Sequence, residues 1–145
     1  GAKSVLDIPS TLQVLETLGV PIVGFQTEAF PGFFVVDTGL VLEHRVDDEE
    51  HVARLLDAHW NVLGRSSSVV ICNPCPQEHA LDRATVEEAV ERAVHQASAA
   101  GVSGKDVTPF LLRRLDTLTE GASLQANLAL LEHNSRVAAK IAVTL

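Results

Sequence analysis

Lys3 stands among very small neighbours, in Gly1-Ala2-Lys3-Ser4, directly before a segment with helical patterning. An amine so placed is open to a substrate carbonyl and forms a Schiff base once its proton is lost. A free lysine with a pKa near 10.4 is neutral in only roughly one molecule in 2,500 at pH 7. Lowering that pKa by about three units means destabilising the cation by on the order of 4 kcal/mol, through burial or a second positive charge. Residue type alone is also satisfied by a solvated lysine in a terminal segment. Asp7 follows four residues later and would hold the lysine protonated if the two paired, the wrong direction for a nucleophile. Asp7 therefore reads as a helix cap.

Other groups carry weaker signals. Cys72-Asn73-Pro74-Cys75 has the C-x-x-C spacing of a redox pair, and such a pair at a strand-to-helix junction has a lowered first thiol pKa. A zinc site would need a second pair or suitable histidines. Two incidental cysteines around a turn fit the sequence as well. The six histidines form no metal-ligating pair; His51 and His59 sit roughly 80° apart around a helix. Gly101-Val102-Ser103-Gly104-Lys105 imitates a phosphate loop but precedes a helix without following a strand. Glu87, Glu88 and Glu91 read as a solvated helix face. Asn127 lies on a helix otherwise made of Leu and Ala. Such an amide needs a partner, either a base edge, a sugar hydroxyl or a neighbouring loop. Thr108 and Asn134 invite the same argument more weakly, and Asn73, before a proline, reads as a turn residue.

The elements that must position these groups follow from hydrophobic period. Pro9 suits a first helical turn, with Leu12, Leu15 and Leu18 along one face and Gly19 as the stop. Residues 21–25 form a short apolar strand, residues 26–46 are irregular, and a strand is possible near 40–43. Asp47 and Glu50 form a capping box for a helix through Val52, Leu55, Leu56, His59 and Leu63. Residues 68–72 read as a buried strand. After a turn over 73–82, Val86, Ala89, Val90, Ala93, Val94 and Ala97 mark a long helix ending at Gly101. Thr108 caps the next, with Pro109 at its first position, and Ser123 caps the last. Strands alternating with helices predict a layered α/β fold.

A chain of 145 residues, 46% apolar, can bury a real core. Its net charge of −8 without a basic stripe argues against a nucleic-acid polymer or an anionic membrane as partner. No apolar run approaches the ~20 residues of a membrane helix. Two cysteines without a disulfide framework favour a reducing, cytoplasmic setting.

The run Gly1-Ala2-Lys3-Ser4, Leu6-Asp7-Ile8-Pro9 and Thr11-Leu12-Gln13-Val14-Leu15-Glu16-Thr17-Leu18-Gly19-Val20-Pro21-Ile22-Val23-Gly24-Phe25-Gln26-Thr27 closely resembles the pseudouridine-5′-phosphate glycosidase, or indigoidine synthase A-like, family. The likeness continues at Phe30-Pro31, Asn73-Pro74 and Gly104-Lys105-Asp106-Val107-Thr108-Pro109-Phe110-Leu111-Leu112. It closes at Ser123-Leu124-Gln125-Ala126-Asn127-Leu128-Ala129-Leu130 and Asn134. Near the cysteines it shares Asn73-Pro74 and Pro76, not the thiols.

The resemblance implies an α/β/α fold around a central mixed sheet, of which residues 1–145 supply about half. These residues are expected to be the C-terminal portion of one such domain, beginning inside the lysine motif. The glycine start and the lack of any methionine fit a portion of a longer polypeptide. It also implies that Lys3 attacks the sugar carbon and holds the opened ribose as an imine while the carbon–carbon bond to uracil breaks. A paired carboxylate, as in ordinary glycosidases, has no leaving oxygen to protonate here. Expected with it are Mn2+, with ligands and acid/base residues upstream of residue 1, a sugar phosphate and uracil as partners, and a homotrimer. The 145 residues alone are expected to be inactive. Two alternatives from the same reading are a non-catalytic assembly or binding module that kept the fold and a relative joining the sugar to another aromatic acceptor.

Overall fold

The computed structural model describes residues 7–145. Lys3 lies outside the described residues. The chain enters at Asp7, which caps helix α1 (Ile8–Thr17) as expected: its carboxylate accepts from the Ser10 backbone N–H (3.0 Å) and from the Ser10 hydroxyl (2.8 Å). Pro9 falls in the first turn, where a backbone donor has no partner to lose. Three strands follow in the chain, β1 (Ile22–Phe25), β2 (Arg45–Val46) and β3 (Val70–Cys72), and form one sheet in the order β2-β1-β3. Both pairings are parallel, Gly24 opposite Arg45 and Val23 opposite Ile71. The strand considered near 40–43 is a single antiparallel bridge between Ala29 and Val41, and the ladder forms a few residues later.

Strand alternation divides the core into layers. On one face Phe25, Val46, Val69 and Ile71 pack against Val52, Leu55 and Leu56 of α2 (Glu49–Asp57) and Val137 and Ile141 of α5 (Ala122–Thr144). On the other, Ile22, Val70 and Cys72 meet Ile8 and Leu12 of α1, with Phe30, Leu40 and Leu42 from the long connection. Helices thus cover both faces of the sheet, the α/β/α arrangement. Gly24 is the residue that permits the tight exit from β1: an added Cβ would lie 2.0 Å from the Thr27 carbonyl oxygen.

A second core lies beside the sheet. Val86 and Ala89 of α3 (Arg83–Ala99), Leu115 of α4 (Val107–Leu118) and Ala126 and Leu130 of α5 close around Phe34, Val35 and Cys75. Leu115 keeps only 1% of its surface exposed. The long helix α3 buries Val86, Ala89, Ala93 and Ala97 as its period required, but leaves Val94 47% exposed at the stripe's margin.

Several helix boundaries differ from the sequence reading. Asp48, not Asp47, caps α2, accepting from the His51 N–H at 2.7 Å, because Asp47 is engaged by Arg45 Nε at 2.8 Å. The helix does not run regularly to Leu63: residues Ala58–Val62 widen into a π turn, with Leu63 N–H donating to the Ala58 carbonyl. At α4 the expected Thr108 cap is overridden by a 3-10 turn, Gly104–Asp106, that leads straight into the helix and leaves Pro109 inside its first turn. Ser123 is not the cap of α5 either. Gly121 (φ 86°) starts that helix, and the Thr119 hydroxyl accepts from the Ser123 N–H at 3.1 Å, which places Ser123 inside the helix and buried.

Candidate functional site

The three strands run parallel in the order β2-β1-β3, which puts β3 at an edge of the described sheet. A cavity of about 770 Å³ runs along β3 and past its carboxyl end, and its sheet residues all come from that strand. Its walls come from Phe30, Pro31 and Phe33 of the long connection, from Val70–Cys72, and from α5. The lining is mainly apolar, and the polar side chains facing it are the amides of Asn73, Asn127 and Asn134. Apolar walls with a few placed polar groups are the usual make-up of a small-molecule site.

Asn127 lines this cavity from α5. Its amide has no hydrogen-bond partner among the described residues and lines the cavity, so the neighbouring-loop partner is not found there. Asn73 and Asn134 make a direct amide pair across 61 residues of chain, Asn73 Nδ2 donating to Asn134 Oδ1 at 2.8 Å. That pair ties the end of β3 to α5 and was missed as a unit: each residue was visible, but no local pattern predicts the pairing. Phe33 was also missed, and only the clustering of phenylalanines in an irregular stretch hinted at it. Thr108 is not in the cavity wall.

The first described residues line a different cavity. Asp7, Ile8 and Pro9 share a smaller cavity of about 460 Å³ with Gly32, Thr38 and Arg83. Hydrogen bonds to its carboxylate, first the Ser10 backbone N–H and then the Ser10 hydroxyl, hold the Asp7 pKa below its ordinary value. Asp7 is a cap, and Lys3 precedes it by four residues in the sequence.

The thiols are inert by environment. Cys72 and Cys75 are free and buried. Burial pushes Cys72 up to about 11, and burial together with Glu78 raises Cys75. Cys75 also donates weakly to the Ala126 carbonyl at 3.7 Å. A reactive C-x-x-C thiol needs the opposite shift. His59 is engaged by Ser67 (3.0 Å to its hydroxyl) and His51 by Asp48 (3.1 Å), both outside the cavity. Among the described residues no group of three or more His, Cys, Asp or Glu could hold a metal, and no helix is long and apolar enough to cross a membrane. These residues therefore do not fit a manganese site.

The fold is that of a layered α/β protein with a largely apolar cavity along the edge strand β3 of a parallel sheet. A family model described as indigoidine synthase A like protein matches residues 1–144. The chain belongs to that family. It is 50% identical over 145 residues to a pseudouridine-5′-phosphate glycosidase of Caldanaerobacter subterraneus, covering all of this chain and 47% of that protein. A pseudouridine-5′-phosphate glycosidase of Sorangium cellulosum is 48% identical, with 45% of its length covered. The chain thus spans about half the length of these relatives. Among solved structures it resembles the prealnumycin C-glycosynthase AlnA in complex with ribulose 5-phosphate, with a TM-score of 0.90 and 35% identity over all of this chain and 47% of that one. An indigoidine synthase A-like protein from Thermotoga maritima superposes with a TM-score of 0.87 and 38% identity, over 97% of this chain and 46% of that one.

Proposed function

We propose that this chain supplies the lysine nucleophile and one wall of a site that reversibly cleaves the C-glycosidic bond of pseudouridine 5′-phosphate to uracil and ribose 5-phosphate. The observation that carries the reading is the cavity. It joins an apolar slot to an amide, Asn127, that the described protein leaves without a partner, as a flat heterocycle with a polar edge requires. The names of the relatives agree with it.

In this mechanism the neutral Lys3 amine bonds to the anomeric carbon as the bond to the ring oxygen breaks. The nitrogen lone pair then drives departure of the base, whose carbon takes up a proton, and the sugar is left as an imine on Lys3. Water releases ribose 5-phosphate and restores the amine. Asn127 binds the base edge or a sugar hydroxyl and does no proton transfer. The same reading carries a homotrimer, a cytoplasmic setting and Mn2+ held by groups other than the described residues. The 145 residues assayed alone are expected to release no uracil.

The test is borohydride reduction of the protein in its full natural length, with ribose 5-phosphate and Mn2+ present, mapped by mass spectrometry. A reduced sugar adduct on Lys3, absent from Lys3→Arg, is the expected result. Folded protein without that adduct would overturn the lysine mechanism and leave a binding module that kept the fold. The C-glycosynthase likeness supports a second reading, in which the same imine joins the sugar to another aromatic acceptor. A trapped Lys3 adduct with no turnover of uracil would select it.

A further inference from the structure

We propose that Phe33 is a specificity-determining residue whose ring forms the wall against which the flat heterocycle packs. The inference deepens the proposed function and rests on it. The run Phe30-Pro31-Gly32-Phe33-Phe34 sends its phenylalanines to different places. Phe30 and Phe34 are buried in the two cores on either side. Phe33 is only partly buried and lines the same cavity as Asn127.

The backbone is bent to put it there. Phe33 has φ 70°, and the Phe34 N–H donates to the Gly32 carbonyl at 2.9 Å, two residues back. That is a γ-turn of the rare, strained hand, with a bulky aromatic at its centre, where large side chains are seldom found. The surroundings fix it from several sides. Gly32 N–H donates to the Val35 carbonyl at 2.8 Å, and the Phe34 carbonyl accepts from Leu81 N–H at 2.8 Å. Gly32 is packed so closely that a Cβ would lie 2.8 Å from the Thr38 methyl. The other two non-glycine residues with positive φ among the described residues, Gln26 and Glu120, are polar residues at the ends of β1 and α4, where chain reversal accounts for them.

Phe33 packs against the edge of the core that holds Phe34 while also lining the cavity. Strain held in place by its surroundings is characteristic of functional sites. The two rings meet nearly edge to face, with centroids 4.6 Å apart and planes at 70°, so the buried Phe34 fixes the attitude of the Phe33 ring. An oriented aromatic wall and an amide in one cavity suit a planar heterocycle, stacked on its π face and read on its polar edge.

The test uses the full-length protein with Phe33→Leu, Phe33→Tyr and Phe33→Trp. It measures the uracil KM in the synthetic direction at saturating ribose 5-phosphate, together with borohydride trapping by ribose 5-phosphate alone. Phe33→Leu is expected to raise the uracil KM roughly 5- to 100-fold, the range for loss of one base-stacking partner. Phe33→Tyr should stay within about twofold, and trapping at Lys3 should be unaffected because the sugar alone does not touch the wall. An unchanged uracil KM in Phe33→Leu, with trapping intact, overturns the inference. If Phe33→Leu does not fold, Phe33→Trp decides: a changed uracil KM with unchanged trapping supports the wall, and an unchanged one overturns it. Absence of trapping in the unsubstituted protein overturns the parent lysine reading, and this inference falls with it.

Discussion

Ala126 and Leu130 turn one face of α5 into the core around Leu115, while Asn127, Leu131 and Asn134, a step further round the helix, line the 770 Å³ cavity that Leu130 also borders. The two faces are built from different materials. On the first, the side chains are enclosed and apolar apart from Ser123, and the stabilisation comes from area removed from water and close packing. On the second, Leu131 is 55% exposed and the Asn127 amide has no partner among the described residues. Nothing about folding asks for an amide at that position, since alanine is a better helix former there. The contrast separates what holds the chain together from what the proposed function assigns to another molecule. It also yields opposite expectations for substitutions on neighbouring elements.

The largest effect belongs to the enclosed side. Leu115→Ala removes a side chain at the centre of the packed cluster, where surrounding helices can collapse only partly. It should cost about 3–5 kcal/mol of stability, near the upper part of the range for such truncations, read from the urea midpoint. Any loss of activity should follow the unfolded fraction and disappear under conditions where the protein remains folded. A loss below 1 kcal/mol would mean that the cluster is loosely packed and the contrast overdrawn.

The cavity side should behave in reverse. Asn127→Ala breaks no hydrogen bond within the described protein and gains helix propensity, so stability should be unchanged or rise by about 0.5 kcal/mol. The KM for the nucleotide should rise roughly 5- to 10-fold, as expected for one lost neutral hydrogen bond. A marked stability loss with unchanged KM would assign Asn127 to the fold.

Much of this division was legible in the sequence, and the exceptions have physical causes. The helical period found α1, α3 and α5, and Asp7 acted as a cap because an aspartate before a helix has an N–H within reach. The boundaries failed where two groups competed for one role. Asp47 lost the capping position to Asp48 through its bond to Arg45, and Thr119 displaced Ser123 as the side chain that satisfies the first turn of α5. Asn127 was legible because a lone amide on an apolar helix is a local anomaly. The Asn73–Asn134 pair and the Phe33 turn were not. The first joins residues distant in the chain, and the second depends on Gly32, Thr38 and Leu81 closing around a strained backbone.

The smallest effect tests the outer margin of the enclosed side. Asp82 caps α3, accepting from the Thr85 N–H at 3.0 Å and the Thr85 hydroxyl at 3.1 Å, and those bonds hold its pKa below 3.8, the backbone bond contributing most. A carboxylate whose folded pKa is depressed stabilises the fold fully above its unfolded pKa and loses that contribution as pH falls through the folded value. Asp7 and Asp48 are lowered in the same direction by the same kind of bond. Asp82→Asn keeps an acceptor for the N–H but has no charge to lose. The urea midpoint of Asp82→Asn should therefore lie slightly below that of the unsubstituted protein at pH 7, and the gap should narrow toward pH 3. A gap that stays constant across that range would show that the charge at this cap contributes nothing and that hydrogen-bond geometry alone sets where α3 begins. The cavity side should not respond at all: trapping at Lys3 in Asp82→Asn should match the unsubstituted protein, because Asp82 is not in the cavity wall.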